Sequence, residues 1–154
     1  MSDDDFTTSD EAIQQIGTII LSNKLQSSLL HDLGSCRGYF VLSILKMCPD
    51  LRIIGIDSSR SRTWFAKFRG IFRVRATFKK ADIFDTDVST ADLVYAYLPP
   101  DLLPVLMVKL QKELKPGALV LTYRTNFSGW QPSQTFLVDH KNPQEENVYM
   151  YRKI

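Results

Sequence analysis

Cysteine is scarce in this chain of 154 residues: there are 2, Cys36 in a tight turn and Cys48 at a predicted helix end. That spacing suits neither a disulfide framework nor a metal cluster, so both read as reduced thiols in a cytoplasmic protein, and no metal site is expected. Histidine is equally scarce. His31 sits inside an apolar run and His140 in a polar tail, and both read as structural. No apolar run approaches the roughly 18–20 residues of a membrane span. The opening Met1-Ser2-Asp3-Asp4-Asp5 is acidic where a secretory signal would be basic, so no export signal is expected. Charge of one sign is also lacking. Lys and Arg number 19 against 17 Asp and Glu, and a net charge of +2 implies no dedicated polyanion partner. Gly-x-Gly-x-x-Gly does not occur, because Gly34 and Gly38 stand four apart with no third glycine to complete it, which argues against a nicotinamide dinucleotide site. Repeats, linkers and low-complexity segments are missing too, leaving a single domain over residues 1–154, with an acidic segment and a helix packing on it over 1–26.

What is present alternates between strand and helix. Thr8 with Glu11 resembles a capping box, and Ala12, Ile13, Ile16, Ile19 and Ile20 follow at helical spacing. A strand is expected at 28–33, a helix apolar almost all round at 38–47, a buried strand at 51–57 and a second helix at 60–69. Residues 72–79 alternate apolar and basic, as a strand with one solvated face would. A fourth strand covers 92–97. Leu102, Leu103, Leu106, Leu110 and Leu114 form the stripe of the next helix, where Pro104 is tolerable in the first turn. A fifth strand covers 118–123, and two more, at 134–139 and 147–152, form a terminal pair. The expected fold is α/β: a doubly wound, mostly parallel seven-stranded sheet with an antiparallel C-terminal edge. Only short connections separate the third strand from the fourth and the fifth from the sixth, so helices there are expected to be short or absent.

The most informative stretch is Asp32-Leu33-Gly34-Ser35-Cys36-Arg37-Gly38, a small-residue turn between the first strand and the helix after it. Its acidic-x-Gly-x-small-x-Gly pattern resembles the first motif of class I S-adenosylmethionine-dependent methyltransferases. The resemblance runs from about residue 6 to the end and implies a Rossmann-like fold with S-adenosylmethionine as cofactor. Two positions depart from the family: Cys36 replaces the middle glycine, and Arg37 stands where an acidic residue is frequent. The cofactor's groups suggest their own partners. A ribose diol wants an acceptor-only carboxylate, and Asp57, followed by Ser58, stands at the end of the second strand. Gly34, Ser35, Cys36 and Gly38 would let main chain approach the amino-acid portion. Asp32 is placed to answer the ammonium, Asp82 to accept from the adenine amine, and Ile83 to pack on the ring. Asp32 could instead bond amides in its own turn, and Asp57 could cap the following helix.

The acceptor is less legible. Ala96-Tyr97-Leu98-Pro99-Pro100-Asp101 keeps the Pro-Pro, but not the flanking residues, of methyltransferases acting on base amino groups. Tyr123-Arg124-Thr125-Asn126-Phe127-Ser128-Gly129-Trp130, with Leu98-Pro99 and the leucine-rich helix, resembles small methyltransferases related to the mitochondrial lysine methyltransferases of a rotary-ATPase subunit and of adenine nucleotide translocase. The reading is therefore a transferase acting on a protein lysine or other amine nitrogen, with Tyr97 orienting the acceptor. Phe127 and Trp130 would wall an alkylammonium pocket or seal the sheet edge. Residues 60–80 hold eight Lys and Arg, five aromatics and no acid. This segment is either a solvated basic face over an aromatic core or a nucleic-acid surface, so a nucleic-acid methyltransferase stays open as an alternative. A degenerate binding module without catalysis also stays open. Oligomeric state has no signal in the sequence.

Overall fold

A computed structural model describes residues 6–71, 75–139 and 141–154. The strands β1 (Leu29–Leu33), β2 (Arg52–Asp57), β3 (Ala76–Lys80), β4 (Leu93–Ala96), β5 (Leu119–Tyr123), β6 (Gln134–Leu137) and β7 (Asn147–Arg152) form one seven-stranded sheet in the order β3-β2-β1-β4-β5-β7-β6. β1 to β5 pair in parallel, and β7 lies antiparallel between β5 and β6. The expected fold class is therefore the observed one. The strand order reverses beside β1, which pairs with β2 on one side and β4 on the other, and this opens a crevice at the carboxyl ends of these strands.

Burial explains which residues became strands. All of β4 and β5 and nearly all of β1 are inaccessible, as parallel strands covered on both faces must be. The helices α1 (Asp10–Ser22), α2 (Tyr39–Met47) and α3 (Arg60–Arg69) cover one face. The leucine stripe of α4 (Leu103–Glu113) covers the other. Pro104 lies in its first turn, where its missing amide costs nothing. Residues 81–92 and 124–133 contain no helix, in line with their short length.

Two local expectations are corrected. Ser9, not Thr8, caps α1 by accepting from the Ala12 amide at 3.2 Å. Thr8 is drawn away because its hydroxyl bonds the buried Tyr95 hydroxyl of β4 at 2.5 Å, which holds residues 6–9 across the carboxyl edge of the sheet. β3 begins at Ala76, and Phe72, Arg73 and Val74 of the expected strand lie outside the described residues, as does His140. No helix of the described residues is long and apolar enough to cross a membrane.

Candidate active site

The turn after β1 is set by backbone geometry before any side chain acts. Gly34, Cys36 and Gly38 all have positive φ, at 84°, 49° and 79°. Cys36 therefore keeps the left-handed conformation of the middle glycine without its composition. The amides of Gly34 and Ser35 both donate to the Ile56 carbonyl, at 2.8 and 2.9 Å, stitching the turn to β2. Gly38 is the N-cap of α2, and a Cβ there would sit 2.9 Å from Phe78 Cζ. It shapes the turn but lines no part of the crevice.

This geometry sets the expected effect of Cys36→Gly. Loosening of the unfolded chain alone would destabilise by about 0.5–1 kcal/mol, but relieving a left-handed non-glycine residue returns about 1–2 kcal/mol. Cys36→Gly should be neutral to mildly stabilising in thermal denaturation and leave cofactor affinity within about threefold, under 1 kcal/mol. A large gain in affinity on restoring glycine would mark the parent turn as a lapsed site.

The crevice has two joined compartments. The smaller, about 200 Å³, is lined by Asp32, Gly34, Ser35 and Cys36 and by Phe6, Thr8, Tyr95 and Tyr97, with the more exposed Arg37, Arg62 and Arg69 at its margin. The larger, about 450 Å³, is bounded by Asp57, Ser58, Asp82 and Ile83 on one side and Leu98, Pro99 and Leu102 on the other. Phe6, Gly34, Cys36, Arg62 and Tyr97 border both.

The two carboxylates behave differently. Asp57 is tied into the protein: Oδ2 accepts from the Cys36 amide at 3.0 Å, while Oδ1 accepts from the Ser59 amide at 2.8 Å and from Arg62 Nε at 3.1 Å. A carboxylate offers about four lone-pair sites, so room for a further donor persists. Asp32 is only 2% exposed, and its Oδ2 is buried with no hydrogen-bond partner. Burial first, and the nearby charge of Asp57 second, push its carboxyl up to about 8. It is Asp57, and not Asp32, that ties down the glycine turn. An orphaned buried carboxylate facing a cavity is what a cationic ligand group would satisfy.

Asp82 is held by the Phe84 amide, which donates to its Oδ1 at 2.9 Å, and Ile83 beside it is buried. Tyr97 is 7% exposed, packed against Phe6 with ring centroids 5.2 Å apart and edge-on to Tyr123 at 5.0 Å. Its hydroxyl accepts from Arg124 Nη1 at 3.4 Å, and Arg124 is itself ion-paired with Glu146. His31 is buried without hydrogen-bond partners, and desolvation lowers its pKa. Phe127 is buried against Trp130 and Tyr151 in the core on the α4 face of the sheet, so the pair neither covers a sheet edge, β5 lying between β4 and β7, nor walls either compartment.

The profile of the ANTKMT methyltransferase domain family matches residues 32–134, which span the glycine turn, Asp57, Asp82, Tyr97 and β5. The chain belongs to this family. It is an S-adenosylmethionine-dependent methyltransferase. A protein-lysine N-methyltransferase of Saccharolobus islandicus (strain REY15A) is 29% identical over 129 residues, covering 82% of this chain and 80% of the relative. A lysine N-methyltransferase of Xenopus laevis, named for its action on an ATP synthase subunit, is 25% identical over 126 residues, 79% of this chain, and the match spans only 54% of that protein. Among solved structures, an RNA methyltransferase from Salinibacter ruber, in complex with S-adenosyl-L-homocysteine, superposes with a TM-score of 0.83 at 23% identity, covering 95% of this chain and 92% of that one. At that identity the likeness concerns the fold.

Among the described residues, the sequence had singled out every acid that borders the crevice, together with Tyr97. It missed Phe6, Thr8, Tyr95, Arg62 and Arg69. Arg62 carries a faint signal: it lies three residues after the N-cap Ser59, a first-turn position that faces back toward the strand end. Phe6 carries none, because its place depends on the Thr8–Tyr95 contact.

Proposed function

We propose that this methyltransferase modifies a lysine side-chain nitrogen of a protein, with Tyr97 beside the point of transfer. The observation that carries the reading is the Phe6–Tyr97 wall where the two compartments join. Aromatic faces at this place suit an alkylammonium chain by cation–π attraction. The segment after β4 lacks the flanking residues associated with base amino groups, and relatives named as lysine methyltransferases support the same acceptor class.

In this reading the cofactor lies along the crevice. Asp32 takes the ammonium, Gly34, Ser35 and Cys36 approach the amino-acid portion, and Asp57 with Ser58 takes the ribose diol. Asp82 and Ile83 take the adenine. When bound, S-adenosylmethionine would supply an electrophilic methyl group, to which the acceptor nitrogen would bond in line as the C–S bond breaks and the thioether product leaves. The protein's own contribution is mostly positional. The Tyr97 hydroxyl, held by Arg124, orients the acceptor nitrogen at about 3–3.5 Å from its target, while Phe6 and Tyr97 exclude water. The acceptor reacts as the neutral amine, so its proton leaves to solvent first and no dedicated base is required. A small amine acceptor would use the same wall.

Transfer of radiolabelled methyl to a lysine-rich protein, to a small polyamine and to RNA separates the acceptor classes. Label is expected on protein lysines, and label on RNA alone would overturn the reading. Tyr97→Phe should lower kcat roughly 10- to 100-fold, the scale of one positioning hydrogen bond, with cofactor affinity within about threefold. An unchanged kcat would remove Tyr97 from the site.

A further inference from the structure

The outer face of α3 carries the most exposed aromatic side chains among the described residues. Thr63, Ala66 and Gly70 turn inward and are buried. On the opposite side Trp64 and Phe68, one turn apart, are each 66% exposed, and Ile71 just past the helix is 69% exposed. At 3.6 residues per turn, Arg60 and Lys67 fall on one flank of this stripe and Arg62 and Arg69 on the other. No acidic residue occurs from Arg60 to Lys80. The cationic flank that carries Arg62 and Arg69 is also the margin of the smaller compartment, so the stripe adjoins the mouth of the crevice.

We infer that α3 is an interfacial helix that docks the enzyme on an anionic phospholipid bilayer and sets the mouth of the crevice at that surface. A tryptophan, a phenylalanine and an isoleucine in line, with Arg60 and Lys67 on one flank and Arg69 on the other, match the two layers of a membrane interface: acyl boundary for the stripe, lipid phosphates for these cations, while Arg62 stays paired with Asp57. Nucleic acid fits the same residues less well. Base stacking needs open ring faces, yet Trp64 and Phe68 stack on each other at 6.0 Å and 16°. The Phe65 ring is engaged by Arg37 at 5.9 Å and Arg69 at 4.9 Å. Ile71 offers nothing to a base. A bilayer asks only that the apolar edges point outward. The docking does not depend on the acceptor being lysine, so the two assignments can fail separately.

The full chain is mixed with vesicles of phosphatidylcholine, or of phosphatidylcholine with phosphatidylserine, and floated on a density gradient. It should float only with phosphatidylserine present and release as salt rises. In a Trp130→Phe background the remaining Trp64 emission should shift to the blue on binding. Trp64→Ser with Phe68→Ser, and separately Arg60→Glu with Lys67→Glu, should each lower partitioning at least tenfold, about 1.4 kcal/mol, with circular dichroism and cofactor affinity unchanged. Absence of flotation with the parent chain overturns the inference. So does a Trp64 shift produced by single-stranded RNA but not by vesicles, which would mark a nucleic-acid face. So does concentration-dependent self-association that buries Trp64, which would mark a dimer contact.

Discussion

Asp32→Asn is expected to destroy cofactor binding while making the ligand-free enzyme more stable. Truncating one member of a buried, hydrogen-bonded charge pair costs about 2–5 kcal/mol, so S-adenosylmethionine affinity should fall roughly 30- to 5,000-fold. The stability effect has the opposite sign. In the unfolded chain the carboxyl ionises near 3.8, whereas in the ligand-free fold it holds its proton to about 8. Between those values the folded state binds more protons than the unfolded state, so stability falls as pH rises, and the penalty is complete above about 8. Asparagine carries no such penalty and should raise the thermal midpoint at neutral and alkaline pH. The same protonation shows in binding: parent affinity should climb with pH below the carboxyl's value of about 8, by up to tenfold per unit, until the ligand's own ammonium titrates. Isothermal titration across pH with both proteins checks each part. Flat affinity in the parent, or unimpaired binding in Asp32→Asn, would place the ammonium elsewhere.

Asp57→Ala should weaken cofactor binding roughly 10- to 150-fold, from about 1.5–3 kcal/mol for hydrogen bonds to a charged group. Two losses contribute. The ribose diol loses its acceptor, and the turn loses the carboxylate that fixes the Cys36 and Ser59 amides. Arg62 also loses its ion pair with Asp57 at the crevice margin. Arg62→Ala separates these contributions, since it removes a competitor for Asp57 while leaving both amide bonds in place. It should leave affinity unchanged or improve it. Equal losses from both substitutions would mean that Arg62 itself holds the cofactor.

Much of this site was readable because it rests on short-range rules. A glycine turn after a buried strand, and acids at successive strand ends, converge whenever the sheet is parallel and its order reverses at β1. Cys36 was legible as a departure in composition. Its positive φ was not, because a residue's identity does not reveal the hydrogen bonds that hold its neighbours to β2. The capping residue of α1 was misplaced by one for a related reason. Thr8 and Ser9 are chemically equivalent caps, and only the distant Tyr95 hydroxyl decided between them.

The sequence by itself determined the alternation of strand and helix, the seven-stranded α/β plan, the glycine turn and the acids Asp32, Asp57 and Asp82, since each follows from periodicity or from spacing within a few residues. Tertiary structure alone decided how those acids differ. Asp57 became a tied anchor and Asp32 an orphaned, largely protonated carboxyl because burial and partners depend on which segments fold over which strand end. It also decided that Phe6 reaches Tyr97 and that Phe127 packs with Tyr151 in the core on the α4 face. It turned the basic, aromatic residues of α3 outward beside the crevice, since a ten-residue helix carrying both charge and apolar bulk can bury only one side, and Thr63 and Ala66 fit the sheet where Trp64 and Phe68 do not.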